Sequence, residues 1–569
     1  MSKVIGIDLG TSTSEAAYLK DGKPELIPNT MGGYITPSIV YLNAEGVIKV
    51  GEEAKSFAVL EPENTVIEVK RLMGSGEVLK VGGREMKPQD ISACILRYLK
   101  ESAEGFLGEP VEEAVITVPA YFTNEQRVAT KEAGELAGFR VERIINEPTA
   151  AALAYGLEHM QEQKYVLVYD LGGGTLDVTV LELFDGVLEV KASCGNNKLG
   201  GKDFDEAIMG ELIAGFEKEH GFSLREDRKA MARLKEAAEK AKIELSAKET
   251  VFIDLPFLAA GKDGKPAGLH RELTRKEFER LIGAMVRSTM TQVDTALGDA
   301  GLKPSEIGAI LLVGGSTKIP LVKRVLSEKM GREPLQEVDP DKAVALGAAI
   351  QAGIKSGELA GENGIIITDV CPYTLGIECV KDLGGIVLPG FFDVLIPRNT
   401  TIPVTVKRRY QTFSDNQEEA HIKVYQGESL IAAENNRLGS FIIGGIPAAP
   451  AGEEKVDVEF SYDINGILEV SATVVNTGAD AKITIDTRTI KPTVEIDPET
   501  WKESKYAKRL KPLIRKVEKT INGLAGDSEL RVELELLLLK LKVAMVKDDE
   551  VYVKRYEDEL TDRLYGTEE

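Results

Sequence analysis

Tyr165–Val180 reads Y-V-L-V-Y-D-L-G-G-G-T-L-D-V-T-V. Val166, Val168, Val178 and Val180 place β-branched residues at period two on both sides of a tight D-L-G-G-G-T turn. The pattern predicts a buried hairpin that closes on a loop of bare backbone amides. Glycines at 172, 173 and 174 let the chain take positive φ, and they let main-chain N–H groups approach an anion with no Cβ in the way. Asp170 and Asp177 bracket the loop. Carboxylates beside a phosphate are tolerated mainly where a hard cation such as Mg²⁺ lies between them, so the stretch points to metal-nucleotide chemistry. The plain alternative is an ordinary tight turn, and recurrence decides between the two.

The pattern recurs at Lys3–Ala17, K-V-I-G-I-D-L-G-T-S-T-S-E-A-A, as strand, D-L-G, small hydroxyl residues and returning strand. Two copies indicate an internal duplication. A third strand-to-glycine element, I-L-L-V-G-G-S-T-K-I-P, runs from Ile310 to Pro320. The expectation is two facing phosphate loops, Gly10-Thr11-Ser12-Thr13 and Gly172-Gly173-Gly174, with Gly314, Gly315 and Ser316 beside the base. The chain has no G-x-x-x-x-G-K-[ST] and no G-x-G-x-x-G after a strand, which excludes the ordinary P-loop and the dinucleotide fold.

D-L-G-T-S-T, V-I-T-V-P-A-Y-F, I-I-N-E-P-T-A-A-A-L-A-Y-G, Y-D-L-G-G-G-T-L-D-V, L-G-G-K-D-F-D and L-V-G-G-S-T-K-I-P follow one another in that order. Together they resemble the 70-kDa heat-shock protein (DnaK) chaperone family, over residues 3 to about 490. D-L-G-T alone would also admit actins and sugar kinases, whereas N-E-P-T-A-A-A-L-A-Y-G is specific. Within the family, I-I-I-T-D-V-C-P-Y-T-L-G-I-E, F-S-Y-D-I-N-G and the short tail are most similar to HscC-type members. The resemblance implies an α/β two-lobed actin-like ATPase domain over 1–363, an interdomain linker over 364–372, an all-β sandwich over 373–492 and a short α-helical lid over 493–569.

A chain of 569 residues is too long for one core and predicts two to four domains. Its 43% hydrophobic and 28% charged residues are ordinary for a globular protein. A net charge of −22 argues against binding a nucleic-acid backbone. Cys94, Cys194, Cys371 and Cys379 lie far apart and read as reduced thiols, while His159, His220, His270 and His421 form no ligand cluster and no triad. The first strand begins at Lys3 with no apolar leader before it, and no run of eighteen apolar residues occurs, so the expectation is a cytoplasmic protein.

Lys70, in N-T-V-I-E-V-K-R-L-M-G, would be a solvated charge on sequence grounds. The resemblance maps it onto the lysine that meets the γ-phosphate and the attacking water, a role that suits a compact ammonium. Glu147 precedes Pro148 and a run of helix formers, which reads as helix entry. By resemblance it also orients the hydrolytic water or the metal's water shell. Asp8, Asp170 and Thr175 complete the implied catalytic set, with Asp8 and Asp170 holding Mg²⁺ through water and K⁺ as a further cation. Gly200 and Gly201 belong to the nucleotide set, as does the late Asp341. Lys229–Ser246 is an amphipathic helix; on it Glu239 and Lys242 match the adenosine-contacting pair, and Ile243 would clasp the base against the stem of Lys318. Many relatives carry arginine there, whose planar guanidinium stacks on a purine as an ammonium cannot.

Pro119 and Arg127 resemble a proline switch and arginine relay, and Arg143 lies where a J-domain co-chaperone docks in the family. A nucleotide exchange factor is a further implied partner. Ile365–Val370, I-I-I-T-D-V, is too apolar for a free linker and reads either as a segment that docks and undocks or as an edge strand; the resemblance makes it the allosteric linker, with Asp369 in it. Beyond Tyr373 the chain alternates as short strands, and Asn465-Gly466 marks a hairpin. By resemblance Phe413, Gln417, Ala420 and Ile422 line a groove for an extended peptide. Cys379–Phe392 is longer than in DnaK, so the loop over the peptide differs. The tail reads as helices, forming either a small bundle or a partner-binding arm.

These features converge on an ATP-hydrolysing chaperone that captures extended apolar segments of unfolded proteins. The alternatives are an actin-fold phosphotransferase of the sugar-kinase kind and an actin-like ATPase with an appended docking domain.

Overall fold

The structure is a computed structural model that describes residues 3–159, 162–261, 265–335, 339–359, 366–383, 386–484, 501–502, 504–523, 529–546 and 550–565. The chain divides into two compact units. The first comprises Met1–Tyr373, Ile396–Tyr410 and Lys455–Thr489, and the second Thr374–Leu395, Gln411–Glu454 and Ile490–Glu569.

Two mixed six-stranded sheets organise the first unit. In one, Val4–Leu9 pairs in parallel with Glu113–Val118 on one side and antiparallel with Thr13–Lys20 on the other. In the other, Lys164–Leu171 pairs in parallel with Ile307–Val313 and antiparallel with Leu176–Phe184. The duplication read from the sequence is thus a repeated pairing scheme, and the register repeats as well: Asp8 lies opposite Glu15, and Asp170 opposite Asp177. Val166–Leu171 is buried at every position rather than at alternate ones, because helices or loops cover both faces of the sheet.

Small residues let the covering helices approach. The A-A-A run of the helix Glu147–His159 meets the helix Ala343–Ser356, where a Cβ on Gly347 would lie 1.7 Å from the carbonyl oxygen of Ala150. That neighbour is backbone and cannot swing aside. Gly347→Ala is therefore expected to lower the denaturation free energy of this unit by roughly 1–3 kcal/mol, the range for overpacking a tight core. Gly353→Ala, whose nearest neighbour is the flexible tip of Leu19, should cost less. Urea titration checks both, and equal midpoints for the two variants would contradict the packing argument.

Residues 373–492, expected as one domain, are partitioned between the units. Val404–Gln411, Lys455–Tyr462, Leu468–Val474 and Asp480–Thr484 form a four-stranded sheet that groups with the first unit. Side chains explain this grouping. Ile144 N donates to Asn465 Oδ1 at 3.1 Å and Leu468 N to Asn124 Oδ1 at 3.0 Å, so the predicted Asn465-Gly466 hairpin turn is bonded to the N-terminal residues. The segment Ile366–Val370 is also a strand, parallel to Val187–Asn196 and antiparallel to Thr401–Ile402. Ile365, which begins the apolar segment, lies outside the described residues, as do 360–364.

In the second unit, Ile386–Ile396, Leu375–Leu383, Glu419–Gln426 and Asn436–Gly444 form a four-stranded sheet. The Cys379–Phe392 stretch spans the ends of two of these strands, and its residues 384–385 lie outside the described ones. The tail holds the helices Ala507–Gly523, Glu529–Val546 and Glu550–Tyr565, with Trp501, Leu510, Ile514, Leu534, Leu541 and Leu560 in a shared core. Leu537 and Leu538 of the leucine run are buried in it, while the side chains of Leu536 and Leu539 lie outside the described set.

Candidate functional site

The three strand-to-glycine turns converge on one cavity of about 320 Å³. Gly10–Thr13 line it from the first sheet, Gly172, Gly173 and Thr175 from the second, and Gly314, Gly315 and Ser316 from the third turn. Of the two reasons the sequence suggested for these glycines, positive φ does not apply. None of Gly10, Gly172, Gly173 and Gly174 has a positive φ. For Gly173 and Gly174 the constraint is that the loops abut: a Cβ on Gly173 would sit 2.3 Å from Ser12 Oγ, and one on Gly174 would meet Arg71 and Thr11 at 3.1–3.2 Å, whereas one on Gly10 would press on Thr13 O of its own turn at 2.1 Å. Only Gly314 is left-handed, with φ 80°, and a Cβ there would press on Leu171 O at 2.5 Å.

Gly174, Gly200 and Gly201 stand behind the cavity wall. Gly201 N donates to Gly172 O at 2.9 Å and Lys202 N to Gly173 O at 2.8 Å, which ties the helix Gly201–His220 to the back of the second turn. Arg71, which sequence reasoning passed over, packs on Gly174 and pairs with Asp203 at 3.3 Å.

Asp8, Lys70, Glu147 and Asp170 line one end of the cavity. Lys70 is only 5% exposed, so it is not a solvated surface charge; its ammonium is ion-paired with Glu147 and lies 5.6 Å from the centre of the Phe122 ring. Glu147 opens the helix Glu147–His159, as its place before Pro148 predicted. Thr117 Oγ1 donates to Asp8 at 2.9 Å. Burial, reinforced by the charge of Glu147, pushes the Asp8 carboxyl up to about 7 and holds that of Asp170 well above the carboxylate range. Asp177 stands just outside the lining. Burial and then Glu147 raise it to about 7; its Oδ1 accepts Tyr121 N at 2.9 Å, while its Oδ2 is buried without a partner. Several carboxylates thus crowd around one ammonium, an arrangement a divalent cation would relieve. Among the described residues no three acids converge closely enough to ligate a metal directly, so a cation held through its water shell fits the donor set.

At the other end lie Glu239, Lys242, Ile243, Lys318 and Asp341. Ile243 presents an exposed apolar side chain, and the Lys318 ammonium is engaged by Asp341. Lys242 Nζ reaches Asp205 at 2.8 Å and Gly201 O at 3.1 Å. Glu239 accepts Lys202 Nζ at 2.8 Å; burial works against its charge, but Lys202 outweighs this and holds the carboxyl below its ordinary value. Ile35, Ser246, Val313, Ile319, Pro340 and Val344, which sequence reasoning did not single out, complete the lining. Ser246 falls on the same helix as Glu239, Lys242 and Ile243, one turn on, and helical spacing could have found it.

A second constellation surrounds the apolar strand. Asp369 is 6% exposed, accepts Thr149 Oγ1 at 3.1 Å and Val370 N at 2.9 Å, and has its carboxyl raised by burial. Arg127 donates to Ala120 O at 2.9 Å and to Asn146 Oδ1 at 2.7 Å, which clasps the turn that follows Pro119. Arg143 Nε is buried without a partner; burial lowers this guanidinium, and Asp369 and Asp463 oppose the shift. Tyr373 OH donates to Tyr121 O at 2.7 Å, and the two rings stand 4.2 Å apart.

In the second unit, Gln417 Oε1 accepts Phe413 N at 2.9 Å and fastens the turn into the strand Glu419–Gln426. Ala420 and Ile422 share a face of that strand, Ala420 half-buried and Ile422 buried, and Phe413 is exposed.

No helix among the described residues is long and apolar enough to cross a membrane. The profile of the family described as Hsp70 protein matches residues 4–78 and 76–564. The chain is 46% identical to the chaperone protein DnaK of Thermotoga neapolitana over 98% of its own length and 95% of that relative's. The DnaK chaperones of Thermotoga petrophila and Thermotoga maritima match at the same identity and coverage. A chain matched along nearly its whole length, whose three glycine turns close on one acid-lined cavity, belongs to the Hsp70 protein family.

Proposed function

We propose that this chain is an ATP-dependent chaperone that hydrolyses ATP to ADP and phosphate and uses the cycle to bind and release extended apolar segments of unfolded proteins. The observation that carries the reading is the buried Lys70–Glu147 pair set among Asp8 and Asp170 between two abutting glycine turns, in a chain 46% identical to DnaK chaperones.

The glycine turns offer main-chain N–H groups to the phosphates, and Thr175 and the hydroxyls of Thr11–Thr13 add donors. Lys70 neutralises charge on the transferring phosphoryl oxygens. Glu147, held by Lys70, orients the attacking water. Asp8 and Asp170 would hold Mg²⁺, which would supply charge neutralisation at the phosphates. K⁺ is a further cation of the site. Ile243 and the stem of Lys318 flank the base, and because Asp341 engages the Lys318 ammonium, the aliphatic stem is what faces it. The ATPase domain is actin-like and two-lobed, residues 373–492 supply the strands that bind peptide, and the tail helices act as a short lid. A J-domain co-chaperone docks near Arg143, and an exchange factor renews the nucleotide.

ATP turnover measured with an unfolded peptide, with a sugar, and across a range of protein concentration tests the assignment. Stimulation by peptide is expected. Stimulation by a sugar would instead favour a phosphotransferase, and a rise with protein concentration a polymer.

In this reading the small side chain of Ala420, two positions from Ile422 on one strand, leaves room for a client side chain. Ala420→Phe should fill that room and weaken peptide binding by roughly 1–3 kcal/mol through overpacking. Fluorescence anisotropy with a labelled apolar heptapeptide in ADP measures this, and binding indifferent to the substitution would remove Ala420 from the groove.

A further inference from the structure

Ile35 is an anomaly at the nucleotide cavity. The first turn, Gly10–Thr13, lines the cavity with glycine and hydroxyl residues, and Val313, Ile319 and Val344 of the lining are buried, yet this isoleucine lines it with 41% of its surface exposed. Its position is tightly fixed. The next two residues, Thr36 and Pro37, pair with Ser14 and Thr13 at the end of the first phosphate turn. Ser38 N donates to Ser12 O at 2.8 Å, and Ser38 Oγ to Gly10 O at 2.8 Å. Ile35 therefore rides on the rim of that turn.

The segment before it is equally constrained. Asn29 Oδ1 accepts the N–H groups of Met31 and Gly33, both at 3.0 Å, while its Nδ2 donates to Ile35 O and Thr36 Oγ1 at 3.2 Å. Thr30 Oγ1 and Tyr98 OH are 2.7 Å apart and anchor the loop to the helix Pro88–Leu107. One side-chain amide makes four hydrogen bonds and holds a short loop in a single shape, so an exposed apolar side chain at its end is placed there by the loop and is not there through slackness.

We propose that Ile35 is a nucleotide-retention residue: it forms an apolar wall over the phosphate end of the cavity and slows the departure of the bound nucleotide. The inference rests on the nucleotide reading given above. An apolar wall makes no hydrogen bond to a phosphate. It excludes water that would otherwise solvate the leaving anion, and it must be displaced before the phosphates can exit. Its effect belongs on the dissociation rate, where changes to a single contact surface mostly appear.

The test is displacement of N-methylanthraniloyl-ADP from the full-length protein by excess ADP, followed by stopped-flow fluorescence. Ile35→Ala is expected to raise the release rate by about tenfold, while the volume-conserving Ile35→Leu stays within about twofold of the parent. Asn29→Ala, which frees the loop without touching the cavity, should also speed release. Release by Ile35→Ala at the parental rate overturns the proposal while leaving the nucleotide site standing. Equal acceleration in Ile35→Leu overturns it too, since a wall of the same bulk would then have made no difference. Failure of the parent itself to bind the labelled ADP defeats the nucleotide reading, and the proposal with it. Unfolding midpoints of all four proteins separate a lost wall from a lost fold: a fall in midpoint of Ile35→Ala together with parental release in Asn29→Ala would assign the residue a structural role and overturn retention.

Discussion

Lys70→Ala is expected to slow single-turnover hydrolysis by about 10² or more while nucleotide still binds, the scale seen when one preorganised transition-state partner is removed. Lys70 lies within a group of acids. Its ammonium pairs with Glu147, and the carboxyls of Asp8, Asp170 and Asp177 are all displaced upward by burial and by Glu147. Charge that develops on the transferring oxygens therefore has this one ammonium to meet it among the side chains of that end of the cavity. In the proposed reading ground-state binding draws mostly on other parts of the lining, the glycine turns and the Ile243–Lys318 end. Binding and chemistry should separate for that reason. The measurement is the decay of a stoichiometric ATP complex beside a titration with labelled nucleotide, with circular dichroism to show that removing one member of a buried pair has left the fold intact. A parental decay rate would take Lys70 out of the mechanism.

The parts of this site that were legible in the sequence are those written in local pattern. Period-two valines predicted the hairpin at Tyr165–Val180, and its repeat at Lys3–Ala17 predicted the second. Asn465-Gly466 predicted a turn, and Gly466 does sit at φ 70°. The constraint on Gly173 could not be read, because it is a collision between segments about 160 residues apart, Gly173 against Ser12, and not a property of either loop alone. Ile35, Pro340 and Val344 were silent in the same way: an isoleucine before T-P-S carries no signal until the strand pairing sets it on a cavity rim. The partition of residues 373–492 was equally hidden. It depends on single side-chain amides, Asn465 on Ile144 and Asn124 on Leu468, across more than 300 positions, and no periodicity records such bonds. The expected likeness to HscC-type members rests on the motifs and the short tail alone.

Asp369→Asn is expected to leave basal ATP turnover near the parental level and to abolish its rise with peptide. The strand Ile366–Val370 carries Asp369 into a buried site where Thr149 donates to it, and Thr149 lies two residues after Glu147 in the same first helical turn. Glu147 in turn holds Lys70. A second route runs through the turn after Pro119: Tyr121 N bonds Asp177 beside the acid cluster, Tyr121 O accepts from Tyr373, and Arg127 clasps Ala120 to Asn146, the neighbour of Glu147. Each route reaches the strand or its continuation through one hydrogen bond, Thr149 to Asp369 in the first and Tyr373 to Tyr121 in the second. Asn keeps the size of the side chain but removes the charge that faces Arg143 and Arg127, so the strand loses part of its hold without a void in the core. Polar replacement of Ile366 and Ile367 should act in the same direction by weakening the seat itself, with Ile367 the more effective position because Ile366 is 58% exposed. Steady-state ATPase with and without an apolar peptide reads both, and peptide affinity in ADP, measured separately, shows that capture survives. A segment that merely spaced two domains would let the variants respond to peptide as well as the parent does, and that result would end the coupling assignment of Asp369.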